Sequence, residues 1–311
     1  MGRYIITRCI YMLTALFVII SLTFLLMQLL PGTPFSGVEE LTEQQIAQLN
    51  QKYGLDQPVP IQYFKYLANL LQGDLGESFK YQGREVTTII AERIGPSALI
   101  GTQGLIFGTV VGLFLGIVSA VKHNSVLDYG AVFLAVLGMS VPSFVFAALL
   151  QYYIGVRLGW LPPALWEGYP NTILPSISLS VLVMATVARY IRTEMLEVLG
   201  QDYVLTAEAK GLKGSTVLFR HVVRNALIPV LTMLAPLAVG IITGTLVIEK
   251  IFAVPGIGEQ FTSSILINDY SVIMGITIFY SAIFIVTIFL VDLLYGVLDP
   301  RIRLSKGENR E

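Results

Sequence analysis

The chain has 311 residues, of which 54% are hydrophobic and 13% are charged, and its formal net charge at pH 7 is −1. Soluble proteins carry about a quarter charged residues, so this chain has too few to cover a water-exposed surface of its size. These values exclude a soluble enzyme and a disordered chain, and they offer no basic excess for binding nucleic acid.

The charged residues leave six long gaps along the sequence. The stretches without Asp, Glu, Lys or Arg are Cys9–Val38, Ile94–Val121, Tyr129–Val156, Gly168–Ala188, Asn225–Ile248 and Tyr270–Val291. About 20 apolar residues in a helix cross the hydrocarbon core once, and these stretches lack the alternation of a barrel strand. The sequence therefore predicts an all-α membrane protein with six transmembrane helices.

The first stretch resembles a secretion signal in one respect, because Arg3 and Arg8 precede an apolar run. The run from Cys9 to Leu30 is longer than the usual signal core, and no small-residue cleavage site precedes Pro31. We therefore interpret it as a retained membrane helix that contains Cys9 as an ordinary residue. A single cysteine also excludes an internal disulfide.

Lys and Arg residues predict the orientation, since they are enriched in the cytoplasmic loops of membrane proteins. With the N terminus inside, thirteen of them fall on inner segments and seven on outer segments. The sequence therefore predicts that the N and C termini are both cytoplasmic.

The predicted spans divide the chain into four parts. These are an N-terminal membrane helix over 1–30, an extracytoplasmic segment over 31–93, a five-helix core over 94–299 with a cytoplasmic loop at 189–224, and a cytoplasmic tail over 300–311. The outer segment is expected to hold two short helices, Leu41–Tyr53 with Thr42 as its cap, and Gln57–Leu71. This segment could dock an extracytoplasmic partner or act as a lid over helix ends, and the sequence leaves both open.

The second predicted span carries four glycines at intervals of four residues: Gly104, Gly108, Gly112 and Gly116. They lie on one face of a helix, where small residues let a second membrane helix approach closely. Close helix packing is the favoured interpretation, and a substrate path along the groove is the alternative.

Four prolines lie inside or at the ends of predicted spans: Pro142, Pro175, Pro229 and Pro236. Each removes a backbone hydrogen bond and can bend its helix. Bent helices occur in moving and in static bundles, so the prolines predict bends and no specific function.

The cytoplasmic loop 189–224 contains a short amphipathic pattern. We expect Asp202 to cap a helix over Tyr203–Lys210 that ends at Gly211. Its apolar surface would come from the side chains Val204, Leu205, Ala207 and Ala209. Such a helix needs a protein groove or the lipid interface to cover it, and a lipid anchor is the simpler alternative.

Motifs for nucleotide binding and hydrolysis are missing from the sequence. The segment Gly211–Thr216 lacks the spacing of a phosphate-binding loop, and no HExxH or GxSxG arrangement occurs. The two histidines, His123 and His221, are far apart, so no metal site is expected.

An ordered set of motifs runs through nearly the whole chain. It comprises Leu30–Pro34, Tyr53–Pro58, Gly73–Gly76 before Ser78, Arg189–Leu199, Asp202–Leu212, Arg220–Pro229, Ile251–Gly258 and Leu298–Arg303. The three motifs between Arg189 and Pro229 resemble the EAA-loop region of the membrane subunits of ABC importers. The set as a whole is similar to the B-type permease of dipeptide and oligopeptide uptake systems.

This resemblance implies an ABC type I importer permease fold in a bacterial cytoplasmic membrane. It also implies that the loop helix is a coupling helix seated in a groove of a cytoplasmic ATPase. The residues that match the coupling motif are Asp202, Tyr203, Thr206, Ala207, Lys210, Gly211 and Leu212. Leu205 stands where the broader pattern often has an acid, and Pro229 lies farther from Gly211 than in that pattern.

The resemblance also implies the partners of the chain. These are a second, C-type permease subunit, two ATP-binding ATPase subunits, an extracytoplasmic substrate-binding protein and the lipid bilayer, with no nucleic acid. No cofactor is expected in this chain, since ATP and Mg would be bound by the partner ATPase subunits.

Three other functions remain as alternatives. A similar permease could carry nickel or another small solute. An ion-coupled secondary transporter usually holds ionisable groups near mid-membrane, whereas Asp292 is the one charged residue in a predicted span and lies near its inner end. An intramembrane enzyme is disfavoured because the spans contain no paired carboxylates.

Overall fold

The computed structural model describes residues 2–29, 42–81 and 83–298, and the regular secondary structure of this part of the chain is helical apart from one isolated bridge between Glu77 and Glu85. The helices are α1 Gly2–Leu29, α2 Glu43–Tyr53, α3 Val59–Leu71, α4 Val86–Val121, α5 Val126–Ser140, α6 Ser143–Leu150, α7 Pro170–Leu199, α8 Asp202–Ala209, α9 Gly214–Thr216, α10 Arg224–Ile242, α11 Leu246–Phe252, α12 Ile257–Leu266 and α13 Tyr270–Leu298. Two π-helical segments, Gln151–Arg157 and Val217–Val223, continue α6 and α9.

The two short helices predicted after the first span are confirmed as α2 and α3. Thr42 caps α2, as expected. Its hydroxyl accepts a hydrogen bond from the Gln45 N–H at 3.4 Å, and the Gln45 side chain accepts one from the Thr42 N–H at 2.8 Å. This reciprocal pair satisfies two amide groups that the first turn of a helix leaves without partners.

Five helices in the described residues are long and apolar enough to cross a membrane. They are Ile6–Leu29, Val86–Val121, Pro170–Leu199, Gly214–Ile242 and Tyr270–Leu290. A sixth span results if the bent pair Val126–Ser140 and Ser143–Arg157 is counted as one. The all-α membrane fold is therefore confirmed, with one of the six predicted spans broken.

The break lies where Pro142 was expected to bend the third span. Val141 adopts an extended backbone, with φ −90° and ψ 124°, and the two helices on either side of Val141 and Pro142 differ in direction by 100°. The residue before a proline is pushed out of the helical region by the proline ring, which accounts for the position of the break.

The other prolines lie inside continuous helices. Pro175 is within α7, and Pro229 and Pro236 are within α10. The helix α7 also continues to Leu199, well beyond the apolar stretch that ends at Ala188, so the segment 189–224 begins with the last turns of a membrane helix. Cys9 lies within α1, as expected.

Some expectations concern residues outside the described part of the chain. These are the Leu30–Pro34 motif, the Asp299–Arg303 part of the last motif, the tail at 300–311 and the side chain of Asp292.

The described helices belong to two compact units. The first comprises Met1–Gly95 and Gly256–Phe289, and the second comprises Pro96–Pro255 and Leu290–Glu311. In the first unit a cluster of buried aliphatic side chains joins α4, α12 and α13. Its members are Val86, Ile89, Ile90, Ile257, Val272 and Ile276.

A buried carboxylate pins the loop before α4 in this first unit. Asp269 is fully buried and accepts hydrogen bonds from the Ser78 hydroxyl and, at 3.1 Å, from the Phe79 N–H. The turn that leads to Ser78 contains Gly76 with φ +84°, and the Asp74 carboxylate accepts the Gly76 N–H at 2.8 Å. The Gly73–Gly76 motif therefore forms a turn that places Ser78 within hydrogen-bond distance of Asp269.

The core of the second unit is centred on α7. Its fully buried side chains include Leu174, Val183, Val187, Ile191 and Met195. These residues pack in one cluster with side chains from α4, α8, α10 and α11.

The four glycines of α4 face α7 at very short range. A Cβ at Gly108 would lie 2.6 Å from the Ser180 carbonyl oxygen, and one at Gly112 would lie 2.7 Å from that of Met184. Equivalent contacts occur at Gly104 and Gly116. Close packing of the two helices is therefore confirmed, and we call this contact between α4 and α7 the glycine seam.

We predict that Gly108→Ala destabilises the protein, because the added methyl group meets a backbone oxygen that cannot rotate away. Overpacking of this kind costs about 1–3 kcal/mol. The measurement is the thermal unfolding midpoint of the purified protein in detergent.

Gly95→Ala is the matched control, since Gly95 lies in the same helix and the methyl group added there would have no neighbouring atom within 4 Å. Equal midpoints for the two variants would contradict the close approach of α4 and α7.

Candidate functional site

The short helix α8 begins after Gln201, in the segment 189–224 that the sequence predicts to be a cytoplasmic loop. Gln201 has the extended backbone of an N-cap, with φ −82° and ψ 144°, but its side chain makes no capping hydrogen bond. Asp202 is the first helical residue, so the prediction that it caps the helix is wrong. A carboxylate in the first turn still interacts favourably with the positive end of the helix dipole.

A left-handed turn ends α8 where the sequence predicts it. Gly211 has φ +75°, its N–H donates to the Glu208 carbonyl at 2.8 Å, and the Leu212 N–H donates to the Ala207 carbonyl at 3.4 Å. These two bonds form a Schellman motif, which satisfies carbonyl groups at the end of the helix. The positive φ is accessible to glycine and costs other residues about 1–2 kcal/mol.

One face of α8 is buried in the core of the second unit, to which the helix belongs. Val204 and Ala207, three residues apart, are 1% and 5% exposed. They belong to the same hydrophobic cluster as Met195 of α7 and as Val217 and Val222 of the following π-helical segment. The buried face of α8 therefore makes apolar contacts with both chain segments that flank the helix.

The hydroxyl of Tyr203 adds a polar anchor. It accepts a hydrogen bond from the Asn225 side-chain amide at 3.0 Å, and the same amide donates to the His221 carbonyl at 2.9 Å. Asn225 is the second residue of α10, and the helix from Gly214 to Ile242 is long and apolar enough to be a membrane span. This hydrogen bond thus connects α8 directly to a membrane helix.

The opposite face of α8 is open. The exposed residues of the predicted site are Asp202, Tyr203, Thr206, Lys210, Gly211 and Leu212. Ala207 is the exception, because it points into the core and can contribute only by packing. The structure therefore brings six of the seven predicted residues to the surface.

Two exposed apolar side chains belong to the same region. Leu205 is 54% exposed and Phe219 is 62% exposed, although both lie in a segment whose other apolar side chains are mostly buried. The sequence pattern predicts Leu205 on the apolar surface of the helix and indicates no role for Phe219. An apolar residue between polar ones carries no signal that it faces outward, so Phe219 could be found only from the structure.

The described residues contain no group of three or more His, Cys, Asp or Glu side chains placed to hold a metal ion. His123 contacts Asp128 and Arg192, and His221 is half-buried beside α8.

Comparisons with known proteins agree along the chain. Residues 112–304 match the family described as binding-protein-dependent transport system inner membrane component, and residues 1–96 match the N-terminal region of such components. The dipeptide transport system permease proteins of Lactococcus lactis and Bacillus subtilis are 47% and 44% identical to the chain. These alignments cover 98% of the chain in both cases and 100% and 99% of the two relatives.

The oligopeptide transport system permease protein of Salmonella typhimurium is 40% identical over 97% of the chain and all of its own length. A crystal structure of an amino acid ABC transporter with histidines is 16% identical, with a TM-score of 0.50, and covers 69% of this chain and 94% of its own. That likeness shows a shared fold.

The helical spans, the match over most of the chain and the full-length relatives lead to one conclusion. The chain belongs to the family of binding-protein-dependent transport system inner membrane components, and it is a multi-pass protein of the inner membrane that is not itself an ATPase.

Proposed function

We propose that this chain is the membrane-spanning permease subunit of an ABC importer that moves dipeptides or oligopeptides into the cell. The observation that carries the peptide assignment is its identity of 40–47%, over nearly its full length, with permeases of dipeptide and oligopeptide transport. Separate ATPase subunits supply the free energy of ATP hydrolysis, and they hold the ATP and Mg.

The helix α8 couples the permease to an ATPase. Asp202, Tyr203, Thr206, Lys210, Gly211 and Leu212 form its exposed surface, and Leu205 and Phe219 extend that surface with apolar area. An apolar patch rimmed by polar groups is typical of a protein interface. Ala207 and Val204 form the buried face that packs α8 against the rest of the permease.

This two-sided arrangement allows α8 to transmit force. A helix packed on its own core by Val204 and Ala207 cannot move without displacing α7 and the segment after Gly214. Closure of the two ATPase subunits on ATP would therefore move membrane helices. The solute path through the membrane would then alternate between access from outside and access from inside the cell. The path for the solute lies between this chain and a second, C-type permease, and an extracytoplasmic binding protein delivers the peptide to the outer face.

We predict that Gly211→Leu lowers peptide uptake by about tenfold. Leucine strains the left-handed turn by about 1–2 kcal/mol, the turn must form for α8 to engage the ATPase, and each 1.4 kcal/mol is a factor of about ten. The protein should remain in the membrane at its normal level. The measurement is uptake of a labelled dipeptide by cells whose own peptide importers are deleted.

Gly200→Leu is the matched control on the other side of α8, because Gly200 has φ −82° and a Cβ there would make only an ordinary contact, with the Glu197 carbonyl oxygen. Normal uptake by Gly211→Leu would contradict the coupling role of this turn.

We also predict that the purified chain does not hydrolyse ATP, whereas the transporter assembled with its ATPases imports peptide in proteoliposomes only when ATP is present. Collapse of ion gradients with ionophores should leave import unchanged. Import that follows the ion gradient would support the ion-coupled alternative, and import of Ni²⁺ in place of peptide would support a nickel permease.

A further inference from the structure

A buried ion pair joins the start of α5 to the cytoplasmic end of α7. The Asp128 side chain is 1% exposed. Arg192 donates from Nε to one carboxylate oxygen at 2.7 Å and from a terminal nitrogen to the other at 2.9 Å. A bidentate arginine–carboxylate pair fixes both distance and orientation, which a single contact does not.

Asp128 also receives hydrogen bonds from the segment before it. The Ser119 hydroxyl at the end of α4 donates to it, and so does the Asn124 N–H at 2.9 Å. The His123 ring nitrogen lies 3.1 Å from the same carboxylate. We call the group Ser119, His123, Asn124, Asp128 and Arg192 the Asp128–Arg192 clamp. It gathers the end of α4, the α4–α5 turn and α7 on one buried carboxylate.

The pairing distinguishes Arg192 from its neighbour. Arg189, one helical turn earlier, is exposed and has no ion pair among the described residues. Two arginines on one helix, at the same end of the same span, therefore have different environments.

The clamp lies where force from α8 would enter the membrane helices. The glycine seam joins α4 to α7 as far as Gly116 and Ile191, and the clamp follows within one turn on both helices. Met195, one turn beyond Arg192, packs in the cluster that supports α8. The chain of contacts thus runs from α8 to the end of α7 and from there to α4 and α5.

Stability alone does not account for such a group. Replacing a buried ion pair by well-packed apolar residues is often neutral or stabilising, because both charges must be taken out of water. The glycine seam already holds α4 against α7. The hydrogen bonds of the clamp therefore fix the relative orientation of the helices more than they add to the attraction between them.

We propose that Asp128 and Arg192 are positioning residues for transport, and that they make the α4–α5 turn and the end of α7 move as one body when α8 is displaced. The inference rests on the proposed function only for its link to an ATPase.

The test compares Arg192→Lys with Arg189→Lys in the assembled transporter in proteoliposomes. Lysine keeps the charge but lacks the rigid planar fork that makes two parallel hydrogen bonds to a carboxylate. For Arg192→Lys we expect the amount of dipeptide imported per ATP hydrolysed to fall about fivefold or more, at the low end of typical coupling effects. Arg189→Lys should keep the parent ratio, and ATP hydrolysis should persist in both.

A second readout follows the motion directly and does not depend on the solute. Spin labels are placed at Lys122→Cys and Glu197→Cys, both exposed, with Cys9→Ser as background. Their distance is measured by pulsed EPR with and without ATP and vanadate. It should stay narrow and constant with the clamp intact, and it should broaden or shift in Arg192→Lys.

Parent-like coupling together with a narrow, constant distance in Arg192→Lys would overturn the proposal. If Arg192→Lys does not assemble, Ser119→Ala replaces it, since this variant removes one hydrogen bond and leaves the ion pair. It should lower the ratio less and broaden the distance, and parent-like values of both would count against the clamp. Failure of the parent to import any peptide would refute the proposed substrate, while the EPR distances would still decide about the clamp.

Discussion

The contact between α4 and α7 depends on four positions where α4 has no side chain. In lipid, helices gain little from burying apolar surface, so they must associate through van der Waals contact at short range. Glycines along one face of α4 allow this, and its backbone comes within reach of the carbonyls of Ser180 and Met184. The place of α7 in turn determines where Arg192 meets Asp128 and where Met195 supports α8.

The helix α8 follows the different rules of a water-exposed surface. Its inner face is apolar and small, and its outer face combines charged, polar and apolar side chains. The left-handed turn at Gly211 ends the helix and sets the direction of Leu212 on that outer face. In the proposed coupling role, this surface, which is packed against the end of α7, passes a displacement inward without losing its own shape.

Buried carboxylates connect parts of the chain that are far apart in sequence. Asp269 binds Ser78 across 191 residues, Glu249 binds Ser97 across 152, and Asp128 binds Arg192 across 64. Such hydrogen bonds are directional, whereas apolar packing tolerates small rotations and shifts. Hydrogen-bonded acids therefore specify which segments meet and in which orientation.

The spans, the glycine face, the helices α2, α3 and α8 and the turn at Gly211 all follow from neighbouring residues, because helix period, capping and the left-handed preference of glycine are local properties. Local rules failed at Asp202, since they do not tell which of two adjacent polar residues takes the extended backbone of a cap. Only the tertiary structure decided that Ala207 faces inward, that Phe219 faces outward, and that Arg192 rather than Arg189 binds Asp128. Each of these depends on what another segment places beside the residue, and the composition of the segment itself does not contain that information.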